Sequence, residues 1–248
     1  MRAETRNPPI DSPQAMPTRK PLATRSVQPE LLDLLPSTDS RAVHSRRDLK
    51  RLNWWMGNAR ILSAAVKNLR PRRIVELGAG DGTLLLDITH KVAPAWSGAE
   101  AILLDQKPIV DPATVQKLFV TGLCPRLETA DVFAWLEKLP SDSCDLMLTN
   151  LFLHHFQEAD LVTLLNSVAR VTTFFVAVEP RRNRWALGSC NLLRLIGCNA
   201  VTLHDAAVSV RAGFRGEELS RGWPMGDWTL REQAAGLFSH LFIAARMQ

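Results

Sequence analysis

The chain has 248 residues, 46% hydrophobic and 22% charged, enough to bury one sizeable core in a single catalytic domain with a tail. Its apolar stretches, the longest near 171–178, are interrupted well before the ~20 residues a bilayer crossing needs, which excludes a helical membrane protein. The net charge of +5 sits at the front: residues 1–51 hold 10 Lys and Arg against 6 Asp and Glu, leaving 20 against 19 in the rest. A DNA or RNA enzyme usually carries its surplus on the folded domain, so a nucleic-acid partner is not expected.

Residues 1–28 contain Pro8, Pro9, Pro13, Pro17 and Pro21 with few large apolar groups, which predicts a flexible tail. The stretch has no apolar core of the kind a secretion signal needs, and a cytoplasmic location is expected. Residues 29–70 predict a helical cap. Within it Trp55, Ala59, Leu62, Val66 and Leu69 recur at helical spacing, forming one apolar face that Pro71 ends.

From 71 to 248 the pattern alternates. Strands are predicted at 73–77, 101–104, a segment ending near 130, 145–149 and 173–178, with helices at 83–92, 132–139 and 160–170. Strands alternating with helices imply a parallel, doubly wound α/β sheet. Residues 227–231 and 239–246, with Gly236 between them, predict an antiparallel hairpin that closes the sheet. Cys124, Cys144, Cys190 and Cys198 form no C-x-x-C pair, so no metal site is expected and reduced thiols are the simplest reading.

The most informative segment is Ile74-Val75-Glu76-Leu77-Gly78-Ala79-Gly80-Asp81-Gly82-Thr83. A strand runs into three glycines at alternate positions and then into a helix, so the backbone can turn sharply and approach a ligand. Asp105, with Gln106 after it, ends the next strand, where an acid can accept both hydroxyls of a ribose. Asp131 follows the third strand. It suits the amine of an adenine, with Val132 or Phe133 packing on the ring, and equally a helix N-cap. Glu76 reads either as a ligand contact or as a support for neighbouring amides. The set describes an adenosyl pocket.

These residues resemble the class I S-adenosylmethionine (SAM)-dependent methyltransferases, whose E-x-G-x-G-x-G motif is matched by Glu76, Gly78, Gly80 and Gly82. The resemblance runs from about residue 53 onward. It implies a seven-stranded Rossmann-like sheet, SAM as cofactor, Gly78 and Gly80 against the methionine moiety, Asp105 on the ribose and Asp131 at the adenine.

After the fourth strand comes Asn150-Leu151-Phe152-Leu153-His154-His155, which is similar to methyltransferases acting on quinones, phenols and polyketides. The similarity implies cofactor contacts at Asn150 and Leu151 and a histidine facing the acceptor. His155 is the candidate base and His154 a substrate contact, with helix-start packing as the plainer alternative. Residues 181–223 form a long insertion read as the substrate cover. Their His204-Asp205 and Arg211 resemble a subgroup found beside bacterial type III polyketide synthases, which implies His204 as a second base and Asp205 and Arg211 as pocket residues. A helix cap at Asp205 and a surface pair at Arg211 fit as well. Trp55 is a candidate wall of the acceptor cavity.

The Arg- and Leu-rich stretch from 181 to 196 suits a membrane contact, but packing on the sheet is the expectation. A nicotinamide enzyme would need a third glycine at Thr83. The resulting expectation is methyl transfer to oxygen, or to carbon, of a small aromatic or polyketide-like acceptor. A SAM-binding protein without turnover is the alternative of a different class.

Overall fold

The computed structural model describes residues 22–36 and 38–247. Seven strands form one sheet in the order β3-β2-β1-β4-β5-β7-β6. Strands β1 (Arg73–Leu77), β2 (Glu100–Asp105), β3 (Cys124–Thr129), β4 (Leu146–Asn150) and β5 (Phe174–Pro180) are parallel. β6 (Trp228–Ala235) and β7 (Ser239–Arg246) form the antiparallel hairpin, with β7 paired to β5. The doubly wound sheet and its terminal hairpin are as the sequence predicts.

The central strands β1, β4 and β5 are covered on both faces and are therefore near-continuous apolar runs. At the edge, β3 carries Pro125, Arg126 and Glu128 and is largely exposed, a composition that discourages further strand pairing. Two apolar clusters flank the sheet. One gathers around Val75, Met147, Phe175 and Phe242, the other around Ile74, Leu103, Leu148 and Val176. Alternate residues of each strand feed opposite clusters, as the pleat requires.

Connecting helices α4 (Thr83–Val92), α5 (Pro112–Val120), α6 (Val132–Glu137) and α7 (Glu158–Val171) complete the winding. Strand order reverses between β1 and β4, and crevices at the carboxyl ends of strands open at such a point. Every motif of the adenosyl reading lies on that edge.

The N-terminal region is helical, but the single helix expected through Trp55 to Leu69 is broken. It folds as α1 (Leu31–Leu34), α2 (Ser40–Met56) and α3 (Asn58–Val66). Gly57, at φ 71°, ends α2 with its N–H on the carbonyls of Asn53 and Trp54. The break turns Trp55 away from the face carrying Leu62 and Val66, which pack on the sheet.

Residues 22–28, expected within the flexible tail, are held to the domain, whereas 1–21 lie outside the described residues. Arg25 stacks over the ring of Phe214 and donates to the carbonyls of Ala212 and Phe156. The Ser26 N–H reaches the Arg211 carbonyl. An aromatic face and free carbonyls thus compensate a segment poor in apolar residues.

The insertion contains α8 (Arg184–Ser189), a 3-10 stretch (Cys190–Ile196), α9 (Ala200–Ala212) and α10 (Glu218–Gly222). Its anchor is Arg182, whose fully buried guanidinium pairs with Glu218 and donates to the carbonyls of Gly213 and Leu22. Gly213 lies so close to β5 that an added Cβ would stand 2.2 Å from the Pro180 carbonyl oxygen. Gly213→Ala is expected to cost about 1–3 kcal/mol, the usual range for forced overpacking, read as a lower urea midpoint with an unchanged slope.

Candidate active site

The glycine turn is set by two kinds of constraint. Gly78 and Gly82 adopt φ +67° and +74°, and a Cβ there would strike Phe152 at 2.4 Å and Leu103 at 2.7 Å respectively. Their lack of a side chain therefore serves internal packing. Gly80 also has positive φ, +56°, yet a Cβ there would meet nothing within 4 Å. Of the three, Gly80 faces open space.

Beneath the turn, Glu76 is 2% exposed, and its Oε2 has no hydrogen-bond partner among the described residues. Burial, reinforced by the negative charges of Asp81 and Asp105, pushes its carboxyl well above the usual carboxylate range. A buried acceptor without a donor is costly and calls for an explanation. A cation placed over the turn would both fill the hydrogen bond and ionise the acid.

Asp105, at the end of β2, accepts from the N–H groups of Gly80 at 2.9 Å and Lys107 at 2.8 Å. Each carboxylate oxygen keeps a further lone pair. Asp131 is the N-cap of α6, accepting from Phe133 and Ala134, while its other oxygen lies 3.3 Å from Nε2 of Gln106. Val132 is buried beside it. The structure thus brings Gly80, Asp105, Gln106 and Asp131 onto adjacent loops of one sheet edge.

Across the strand-order reversal, β4 ends in Asn150. Its Oδ1 accepts from Nδ2 of Asn58 at 2.8 Å, and Oδ1 of the buried Asn58 accepts from Ser239 Oγ at 2.8 Å. Leu151 follows at φ 52°, a left-handed conformation that costs energy in a branched residue and is maintained only by its surroundings. Those surroundings centre on Glu179, at the end of β5. Its fully buried carboxylate accepts from the N–H groups of Phe152 at 3.0 Å and Leu153 at 2.8 Å, and from Nδ1 of His154 at 2.8 Å.

His154 lies between two carboxylates, with Nε2 3.4 Å from Glu30 Oε1. Burial alone would lower its pKa, but hydrogen bonds and charge from Glu179 and Glu30 raise it to about 9. Glu30 would likewise be raised by burial, yet His154, His155 and Ser209 bring it down to about 2. His155 is shifted the other way. Burial and the adjacent His154 charge lower its pKa, outweighing Glu30 and Asp33. The two neighbouring rings, tilted by 33° with 4.2 Å between centroids, are therefore one imidazolium and one neutral imidazole at neutral pH.

Donor atoms of Glu30, His154 and His155 lie within 4.8 Å of one another, a set able to hold a divalent cation. Both His154 nitrogens already face carboxylates.

The remaining candidates are engaged in other contacts. Asp205 spends its carboxylate on the Leu31 and Leu32 N–H groups, at 2.8 and 2.9 Å, capping α1, and touches His204 Nδ1 at 3.0 Å. Arg211 donates to the Ala207 carbonyl one turn back. Trp55 is exposed, its ring 5.4 Å from that of Phe238. Two residues of the centre were missed in the sequence. Glu179 carries a readable signal, an acid closing an apolar strand as Asp105 does. Glu30 carries none, because its position depends on how the N-terminal segment folds back.

No protein-family profile matches the sequence, and no curated protein does. Solved structures match clearly. The plantazolicin methyltransferase BpumL in complex with SAH superposes with a TM-score of 0.57 at 12% identity, over 85% of this chain and 92% of that one. The mitomycin 7-O-methyltransferase MmcR gives 0.54 at 18%, over 87% and 60%. An O-methyltransferase family protein from Burkholderia thailandensis gives 0.53 at 15%, over 85% and 61%. The chain has a methyltransferase fold. It spans about three-fifths of the length of the latter two proteins.

The site generates a pH prediction. A pKa of about 9 for His154, against 6.5 for an ordinary histidine, means its contribution to stability is complete below about pH 6.5. That contribution is lost as pH rises through about 9. The melting temperature of the native chain is expected to fall across this window, and that of His154→Gln to fall less.

Proposed function

We propose that the chain is a SAM-dependent methyltransferase acting on a hydroxyl of a small aromatic or polyketide-like molecule. The observation that carries the reading is the unpartnered Glu76 oxygen below the open Gly80, with Asp105 on the neighbouring strand end. These features fit the ammonium, backbone approach and ribose of an adenosyl amino acid.

When bound, SAM supplies an activated methyl on a sulfonium. Glu76 holds the ammonium as a charged acceptor. Asp105 takes the ribose hydroxyls on the lone pairs that Gly80 and Lys107 leave free, and Asp131 and Gln106 present polar atoms to the adenine edge. The Asn58–Asn150 bond and the Glu179 carboxylate fix the β4 loop, so that His155 stands at the acceptor face. Its neutral ring would accept the proton of an acceptor hydroxyl, while cationic His154 beside it stays bound to its carboxylates. Pairs of groups whose surroundings split their pKa values are how such roles are divided. Most of the acceleration comes from alignment of oxygen, carbon and sulfur. Carbon methylation of an enolised ring would use the same alignment and depend less on His155.

The fold shared with a methyltransferase in complex with SAH and with a 7-O-methyltransferase supports this reading. Calorimetric titration with SAM, S-adenosylhomocysteine and NADH tests it; the two adenosyl ligands are expected to bind in the micromolar range and NADH not at all. Asp105→Ala should weaken both by about 10- to 100-fold, the equivalent of hydrogen bonds to a charged group.

Glu76→Gln should weaken them similarly and remove the increase in affinity with pH that ionisation of Glu76 provides. Because the folded pKa of Glu76 is raised, burying it costs least at low pH, where it is protonated, and costs more as pH rises above the ordinary carboxylate range. The free Gln variant should accordingly melt higher than the native chain at alkaline pH. His155→Ala should lower turnover by about 10²-fold or more, the usual contribution of a positioned base, with SAM affinity nearly unchanged. Full activity in that variant would remove His155 from the mechanism.

A further inference from the structure

The stretch from 181 to 196 does not pack its large residues on the sheet as its sequence suggests. Trp185 on α8 is 84% exposed, and Leu195 in the following 3-10 stretch is 81% exposed. Leu192 and Ile196 are exposed beside it.

This surface continues in two directions. Asn183, the cap of α8, donates to the Leu237 carbonyl at the tip of the β6–β7 hairpin, where Leu237 is also exposed. The adjoining Phe238 contacts the ring of Trp55, and Trp54 next to it is 80% exposed. At the other end, Asn199 bonds back to Asp48 and to the Arg41 carbonyl of α2. The C-terminal end of α2, the hairpin tip, α8 and the 3-10 stretch thus border one another around a single apolar face.

The charge on this face has one sign. The sequence holds no Asp or Glu between Glu179 and Asp205 and none after Glu232. The acid of α2, Asp48, is buried and paired with Arg51. Arg47, Arg184 and Arg194 stand exposed among the apolar groups, while Lys50 is engaged by Asp81.

We propose that this face docks on the surface of a bilayer containing anionic lipid. Tryptophan seats well at the boundary between headgroups and acyl chains, leucine just below it, and arginine at the phosphates. Clustered basic residues supply attraction specific to negative lipid. A second copy of the chain would meet the same arginines with no acid to receive them, so charge disfavours a symmetric dimer on this face. No described helix is long and apolar enough to cross a membrane, which leaves attachment in the plane of the surface. Although Lys50 of α2 pairs with Asp81 of the glycine turn, Trp185, Leu195, Arg184 and Arg194 all lie on the insertion, so docking through them does not depend on the cofactor reading.

Sedimentation of the full-length chain with vesicles tests the proposal. Vesicles of equal parts phosphatidylcholine and phosphatidylglycerol are expected to carry the protein down, and pure phosphatidylcholine is not. Added salt should release it. Trp185→Ser combined with Leu195→Ser, and separately Arg184→Glu combined with Arg194→Glu, should each reduce partitioning at least about tenfold. Since these side chains are exposed, melting temperatures should be unchanged, which separates lost docking from lost folding. Three results would overturn the idea: failure to sediment with either vesicle, equal sedimentation with both, or undiminished binding of the variants. Light scattering that showed a dimer dispersed by the Trp185 and Leu195 changes would assign the face to a second copy instead.

Discussion

One buried carboxylate organises the edge of the sheet that carries the candidate site. Glu179 is completely enclosed at the end of β5 and accepts from the backbone of the β4 loop and from the ring of His154. Removing such a group would leave several donors unsatisfied in a low-dielectric interior, where that loss is most costly. Through those bonds it holds Leu151 in a left-handed conformation and seats the Phe152 ring against Gly78. The glycine turn on β1 and the acceptor loop on β4 are therefore coupled by contact, although the strands belong to different halves of the sheet.

The charges around this edge divide into two groups with opposite logic. On the cofactor side, Glu76 is buried without a counter-ion and is held protonated. The neighbouring Asp81 is also opposed by burial but is brought down by Lys50 and Thr83. On the acceptor side, Glu30 and Glu179 enclose His154 and keep it charged. The first group gains on binding a cation, whereas the second is already satisfied. That difference favours Glu76 over His154 as the partner for an added cation and leaves His155, its pKa lowered by burial and by the charge of His154, as the uncharged imidazole of the pair.

Much of this architecture was legible in the sequence. The alternation of apolar strands and amphipathic helices fixed the doubly wound sheet, and β1 and α4 fall at the predicted residues because the glycine turn marks both ends. Asp105 and Asp131 were readable because an acid after an apolar run has few other uses in such a sheet. Two kinds of feature were not readable. Gly57 divides one apparent helix into two, and the apolar periodicity runs across the break, so Trp55 was placed on the wrong face. Long-range polar contacts such as Glu30 with His154 or Asp205 with Leu31 and Leu32 leave no local pattern, since the partners lie far apart in the chain. His204 and Asp205 do meet, but the acid is committed to capping α1.

The placement of the two half-sites also bears on how such a protein diversifies. The residues proposed to address the cofactor lie at the ends of β1, β2 and β3, which are tied together by strand pairing in one half of the sheet. Much of the surroundings of the acceptor face comes from the N-terminal helices and the insertion between β5 and β6, segments joined to the sheet through side chains such as Arg182 and Asp205. Substitutions in those segments can reshape what is accepted while the common donor chemistry stays intact. Selection can therefore act on the N-terminal helices and the insertion while the coupled β1 and β4 loops stay fixed, one scaffold yielding many specificities.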